Sequence, residues 1–294
     1  MNHEAKKILF LIIVTCAVSI YLSIPSIADK EVSLLKITPD IMDYAIGTVK
    51  PVLDSYPKKD KLSLLLKVSD ILIDPKTGIN VNKINPSDLI LFDKFNKLKI
   101  GFLITFRLPS EKKQIIKSWH SKFMQENPAD VFFALSADEI IRTKTAFGCT
   151  HYARAFISVV KALGLIDIPE DLRYVVSCKA DDYNNALEKT DSQTTINGHQ
   201  FVMVKIDSRW IAINTSKSES TAMPEGFSPE SVRPPQNIPV RFDSYPDVTF
   251  LLRKIGKNYN DDCDDNSLSS LMNISRSGDS QGSDFRWSKF FNTK

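Results

Sequence analysis

Hydrophobic and polar positions divide the 294-residue chain into an apolar leader, a helical first half, a mixed centre and a polar tail. Ile8 to Ile24 is one apolar run behind Lys6 and Lys7. Ile41–Leu53, Lys61–Leu72 and Glu111–Met124 repeat apolar residues every three or four positions, which predicts helices, the last with Ser110 as its cap. Asp74-Pro75-Lys76-Thr77-Gly78 predicts a turn, and Lys99–Phe106 (KIGFLITF) fits a strand or a buried helix segment. Asp138–Ile141 favours helix. The stretch FGCTHYARAFISVVKALGL, Phe147 to Leu165, then sets Ala153, Phe156, Val160 and Leu163 on one helical stripe, with Gly164 as the stop. Leu172–Val176 reads as a strand, Glu188–Gly198 as a polar surface loop, and GHQFVMVKIDSRWIAINTS as a β-hairpin turning at Asp207-Ser208-Arg209 and ending on Asn214. Met223 to Pro246 holds six prolines and predicts an extended connection wrapped on the core; Val248–Ile255 predicts a last strand or short helix. Beyond Gly256 the chain is rich in Asp, Asn and Ser without a burial pattern, the composition of a disordered tail.

The candidate chemistry sits where the pattern changes from helix to sheet. Cys149 follows Gly148 and opens the predicted helix, where unpaired backbone N–H groups and the positive end of the macrodipole favour a thiolate. Gly148 is expected to let the backbone turn sharply into the helix and to leave room for a substrate carbonyl. A lone helical cysteine is ordinarily a small buried hydrophobe. The hairpin gives it company: His199 starts one strand and Asn214 ends the next, so an imidazole and an orienting amide meet at one sheet edge. His151, two residues after Cys149, points nearly the opposite way on a helix and is a poor base. Trp119 and His120 fit an ordinary partly buried helix, and Cys178 packs at the end of its strand.

Gly148-Cys149, Tyr152-Ala153, Phe156 and Ala162-Leu163-Gly164, followed by Leu172–Val176, His199, Trp210 and Asn214-Thr215, resemble the core motif of the transglutaminase-like superfamily from about Asp138 to Ser216. The resemblance implies an α+β fold with a papain-like core, in which a nucleophile helix packs on an antiparallel sheet beside a helical N-terminal region. It implies Cys149 as nucleophile, His199 as base and Asn214 as the third member, with no cofactor and no metal. The third member is usually aspartate; an asparagine orients the imidazole without adding negative charge. The backbone N–H of Cys149 is one oxyanion donor, and no residue between Ile140 and Phe147 suggests itself as the second. An amide- or peptide-cleaving enzyme working through a thioester is expected, hydrolysis ahead of amine transfer. The alternatives are a non-catalytic binding domain of the same fold, a cross-linking acyltransferase, and a cell-wall endopeptidase of another papain-like family, whose usual aspartate before the cysteine is missing here.

Composition and charge narrow the partners. With 43% hydrophobic and 25% charged residues the chain is long enough for a sizeable core, and a net charge of +3 with no basic cluster interleaved with aromatics gives no reason to expect a nucleic-acid partner. A protein or peptide substrate is the expected partner. Residues 1–28 have the layout of a signal peptide cut after Ala28, with a membrane anchor through residues 8–24 as the alternative; either way the body is exported, to periplasm, medium or membrane face. The remaining regions are then a helical N-terminal part (29–128), the core (129–255) and the tail (256–294). Removal of residues 1–28 leaves Cys149, Cys178 and Cys263, an odd set in which at least one thiol stays unpaired. Asp261-Asp262-Cys263-Asp264-Asp265 matches no calcium-loop spacing and reads as a solvated acidic run.

Overall fold

A computed structural model describes residues 37–82, 110, 112, 114–115, 135–146, 148–167, 170–189, 198–229 and 236–256. The leader 1–28, Lys99–Phe106, Trp119, His120 and the tail beyond Gly256, with its acidic run and Cys263, lie outside the described residues, as does most of the Glu111–Met124 helix.

The first helical stretch begins at Pro39, preceded by Thr38, whose Oγ1 accepts from the Ile41 N–H at 3.3 Å. It runs as α1 (Pro39–Tyr44), one π-type turn (Ala45–Val49) and α2 (Lys50–Ser55). The irregularity has a local cause. Pro51 has no N–H to give the ladder, and just before it the bonding slips one residue, Lys50 N–H reaching Ala45 O. Helix α3 (Lys61–Ile73) is capped by Asp60, whose Oδ1 accepts from Ser63 N at 2.9 Å. It ends in the predicted turn, where Asp74 Oδ1 takes the N–H groups of Lys76 and Thr77 at 2.8 and 2.7 Å. Gly78 is required there: a Cβ on it would lie 2.3 Å from Leu72 O.

Helix α4 (Ala137–Thr143) starts with a reciprocal capping box between Ser136 and Glu139. Helix α5 (Cys149–Ala162) follows and stops at Gly164, which adopts φ +63°. Its expected single stripe is too narrow. His151, Arg154 and Ser158 are buried along with Ala153, Phe156 and Val160, because α1 and α3 pack on this helix from one side and the sheet from the other. Arg154 meets that burial by donating from Nη1 to Leu135 O at 3.0 Å.

The sheet is antiparallel and, among the described residues, has the order β4-β3-β2-β1-β6-β5: β1 Leu172–Lys179, β2 Gly198–Ile206, β3 Arg209–Asn214, β4 Glu219–Ala222, β5 Gln236–Val240 and β6 Phe250–Gly256. Between β1 and β2 a helix, α6 (Ala180–Lys189), takes in Glu188, where a loop is expected from the sequence. Strand β5 likewise falls inside the proline-rich stretch expected to be only extended connection; its Pro239 sits in the outermost strand, where a missing N–H is tolerated. The hairpin β2–β3 turns on Asp207 and Ser208, both at positive φ, as a two-residue turn between right-twisted strands requires.

Alternation along the strands sorts the core into two layers. Leu172, Tyr174, Val176, Val202, Val204 and Ile213 join the helices in one hydrophobic cluster, so the helical region 39–73 packs on the same core as α4 and α5. Val175, Phe201, Met203, Trp210, Ala212, Phe250 and Leu252 face the other way and are covered by Met223, Val240, Phe242, Tyr245 and Val248. The chain is thus α+β, helices on one face of an antiparallel sheet and an irregular strap on the other. No helix among the described residues is long and apolar enough to cross a membrane.

Candidate functional site

Helix α5 and the sheet bring the sequence-predicted residues to the start of β2. Cys149 is the first residue of α5 and half-buried; its Sγ accepts from the backbone N–H of Gln200 at 3.3 Å, which seats the sulfur against the start of β2, one residue from His199. Donation from that N–H and the unpaired N–H groups of the helix start both favour negative charge on sulfur. Gly148 does not make the sharp turn expected of it. Its φ of 172° is ordinary extended backbone, and a Cβ placed on it would meet no described residue within 4 Å.

Strand parity puts His199 on the strap side of the sheet, with Phe201 and Met203. The register Val202↔Ile213 makes Asn214 a diagonal neighbour of His199 on that face, and the side chains close the gap: His199 Nε2 and Asn214 Oδ1 are 2.9 Å apart. Ser177, opposite His199 on β1, donates from Oγ to His199 O at 2.6 Å and fixes the backbone that carries the ring. The ring is 5% exposed and enclosed by Phe201, Phe242, Tyr245 and Phe250, with centroids 6.1, 6.0, 5.4 and 5.2 Å away. This apolar box decides its protonation. Desolvation by burial lowers the His199 pKa from 6.5 to about 4, against the opposing pull of the Asn214 hydrogen bond and the Glu219 charge. At neutral pH the imidazole is therefore neutral.

Asn214 is fully buried and completely engaged. Its Oδ1 also accepts from Ser216 Oγ at 2.9 Å; its Nδ2 donates to Glu219 Oε1 at 2.7 Å and to Ser244 Oγ at 3.4 Å. Glu219 lies directly opposite Asn214 in the β3–β4 register. Ser244 in turn donates from its backbone N to Glu219 Oε2 at 2.8 Å and from Oγ to Oε1. Tyr245 completes the surroundings: its phenol is pushed above its usual pKa, chiefly by burial and then by the charges of Cys149 and Glu219.

Sequence reasoning names Cys149, His199 and Asn214, and the fold assembles them around the start of β2. It misses Glu219, Tyr245 and Gln200. The polar stretch Asn214-Thr215-Ser216-Lys217-Ser218-Glu219 has the composition of a turn, but only the β3–β4 register shows that it sets Glu219 opposite Asn214. Among the described residues no group of His, Cys, Asp or Glu is arranged to hold a metal ion. Compared with known proteins, the chain matches no family model, no curated protein and no solved structure.

Proposed function

We propose that the chain is an exported cysteine enzyme with a transglutaminase-like, papain-like core that acts on amide or peptide bonds through a thioester, releasing it to water. The observation that supports this reading above all is the linked contact of three elements: the Cys149 sulfur at a helix start on the Gln200 N–H, and the adjacent His199 held through Nε2 by Asn214. In this reading His199 Nδ1 takes the thiol proton, the sulfur attacks the carbonyl carbon, and the Cys149 backbone N–H steadies the oxyanion. The protonated ring then gives its proton to the amine as the C–N bond breaks. Water, deprotonated by the same nitrogen, attacks the thioester and frees Cys149. A histidine with a pKa near 4 suits the middle step, because its protonated form is a strong acid toward a leaving amine.

A binding-only role is the second reading, favoured by the near-complete enclosure of the His199 ring. Alkylation of the full-length protein with iodoacetamide at pH 4 to 9 separates the two. The enzymatic reading expects Cys149 in the native protein to react faster than a free thiol at pH 6, and His199→Ala to remove that advantage. A Cys149 that reacts only after denaturation, or indifferently to His199, leaves the binding role.

A further inference from the structure

The asparagine at the third position lacks the charge that an aspartate would bring, yet a carboxylate stands immediately behind it. Glu219 faces Asn214 across the β3–β4 pair and accepts from its Nδ2 at 2.7 Å. A carboxylate only accepts hydrogen bonds, so it can face the N–H₂ end of the amide and not the carbonyl end. That contact decides which way the Asn214 amide is turned. With Nδ2 on Glu219, Oδ1 must point to His199, and it can only accept there. The ring therefore carries its hydrogen on Nε2, and its lone pair is on Nδ1. Ser216 adds a second donor to Oδ1, and Ser244 holds both oxygens of Glu219, so neither amide nor carboxylate is at liberty to rotate.

We propose that Glu219 is a positioning residue that, through Asn214, sets the His199 tautomer and supplies at one remove the negative charge that an aspartate would supply directly. The proposal rests on the Cys149–His199–Asn214 reading. The chain of groups follows the sheet: β2 carries His199, β3 Asn214, β4 Glu219, and each link is a cross-strand neighbour of the last. As the imidazole becomes charged, the N–H···O=C–N–H···O⁻ path polarises toward the carboxylate, which favours the proton on the ring. Among the described residues, Lys179 and Lys217 oppose a positive ring, Tyr245 packs beside it, and Glu219 is the carboxylate that favours it.

A charge exchange tests this. The rate of Cys149 alkylation by iodoacetamide is measured from pH 4 to 9 in the full-length protein and in Glu219→Gln, Asn214→Asp, the double variant Asn214→Asp/Glu219→Gln, His199→Ala and the exposed control Glu225→Gln, each first checked for cooperative thermal unfolding. Glu219→Gln is expected to slow alkylation at pH 7 roughly tenfold. Asn214→Asp sets two carboxylates face to face, and their repulsion breaks the contact that holds the ring, so it should be slower than wild type. The double variant returns one charge to the relay and should recover to within about threefold of wild type. Glu225→Gln should match wild type, which excludes a general surface-charge effect. If Glu219→Gln does not fold, the comparison of the double variant with Asn214→Asp carries the test, since only a relay makes the double variant faster. A Glu219→Gln profile equal to wild type while His199→Ala is slow, or a double variant no faster than Asn214→Asp, overturns the role of Glu219 alone. Indifference to His199→Ala overturns the triad itself.

Discussion

Acidification offers a direct measure of how completely the fold strips water from His199. In the folded protein the ring has a pKa of about 4, against 6.5 when solvated, and the cause is its enclosure by four aromatic rings. Between these values the unfolded chain binds the proton and the folded chain does not, so stability falls as pH drops from 6.5 toward 4 and levels off below. A gap of about 2.5 pH units at 1.36 kcal/mol each gives a loss of about 3 kcal/mol. Above pH 6.5 both states are neutral and the ring adds no slope. His199→Gln is the reference, since an amide in that place does not titrate. It also loses ring packing, but that offset is constant with pH. Asp60 and Asp74, held below the usual carboxylate range mainly by backbone hydrogen bonds from Ser63 and Thr77, lose stability in acid equally in both proteins and cancel. Urea unfolding at intervals from pH 4 to 8 should therefore show the wild type losing about 3 kcal/mol relative to His199→Gln across the window. A flat difference would mean that the ring is not desolvated. A slope of the opposite sign would mean that it is charged in the folded state, paired with a Cys149 thiolate, and would refute the neutral resting site.

Gly148→Ala tests the space before α5: with extended backbone and no described residue within 4 Å of the new Cβ, stability should change by less than about 0.5 kcal/mol in urea unfolding. Alkylation by a bulky maleimide should nevertheless slow if reagents reach the sulfur through that space. Phe156→Ala, at a fully buried position between the helices and the sheet, should cost about 3–5 kcal/mol by the same measurement. A loss under about 1 kcal/mol would contradict a close-packed joint between the two layers.

What the sequence discloses and what it hides follow from the range of each interaction. Helix α3 and its Asp74 turn, α5 with its Gly164 stop, and the β2–β3 hairpin are written in local spacing and turn chemistry, and each is found where expected. Cys149, His199 and Asn214 stand at element ends, which makes their approach legible from residue type and order. The burial of His151, Arg154 and Ser158 was not legible, because their polarity signals solvent while a second helical layer sits on them. Helix α6, mostly polar, has no apolar run to announce it, and β5 is disguised by its prolines. Glu219 was hidden for a different reason: its meaning depends on register, and only a paired strand shows that it faces Asn214.

The strand order carries a consequence for the making of the protein. β6 pairs with β1, although the chain builds β2, β3, β4 and β5 in between. During vectorial synthesis the meander from β1 to β4 can close on local contacts, leaving one edge of β1 waiting for the last described strand. Three of the rings around His199, those of Phe242, Tyr245 and Phe250, arrive with that final segment. Until it emerges, the imidazole lacks three of the four rings that enclose it. A nascent chain thus holds its cysteine, its imidazole and its amide well before the aromatic enclosure of the ring is complete.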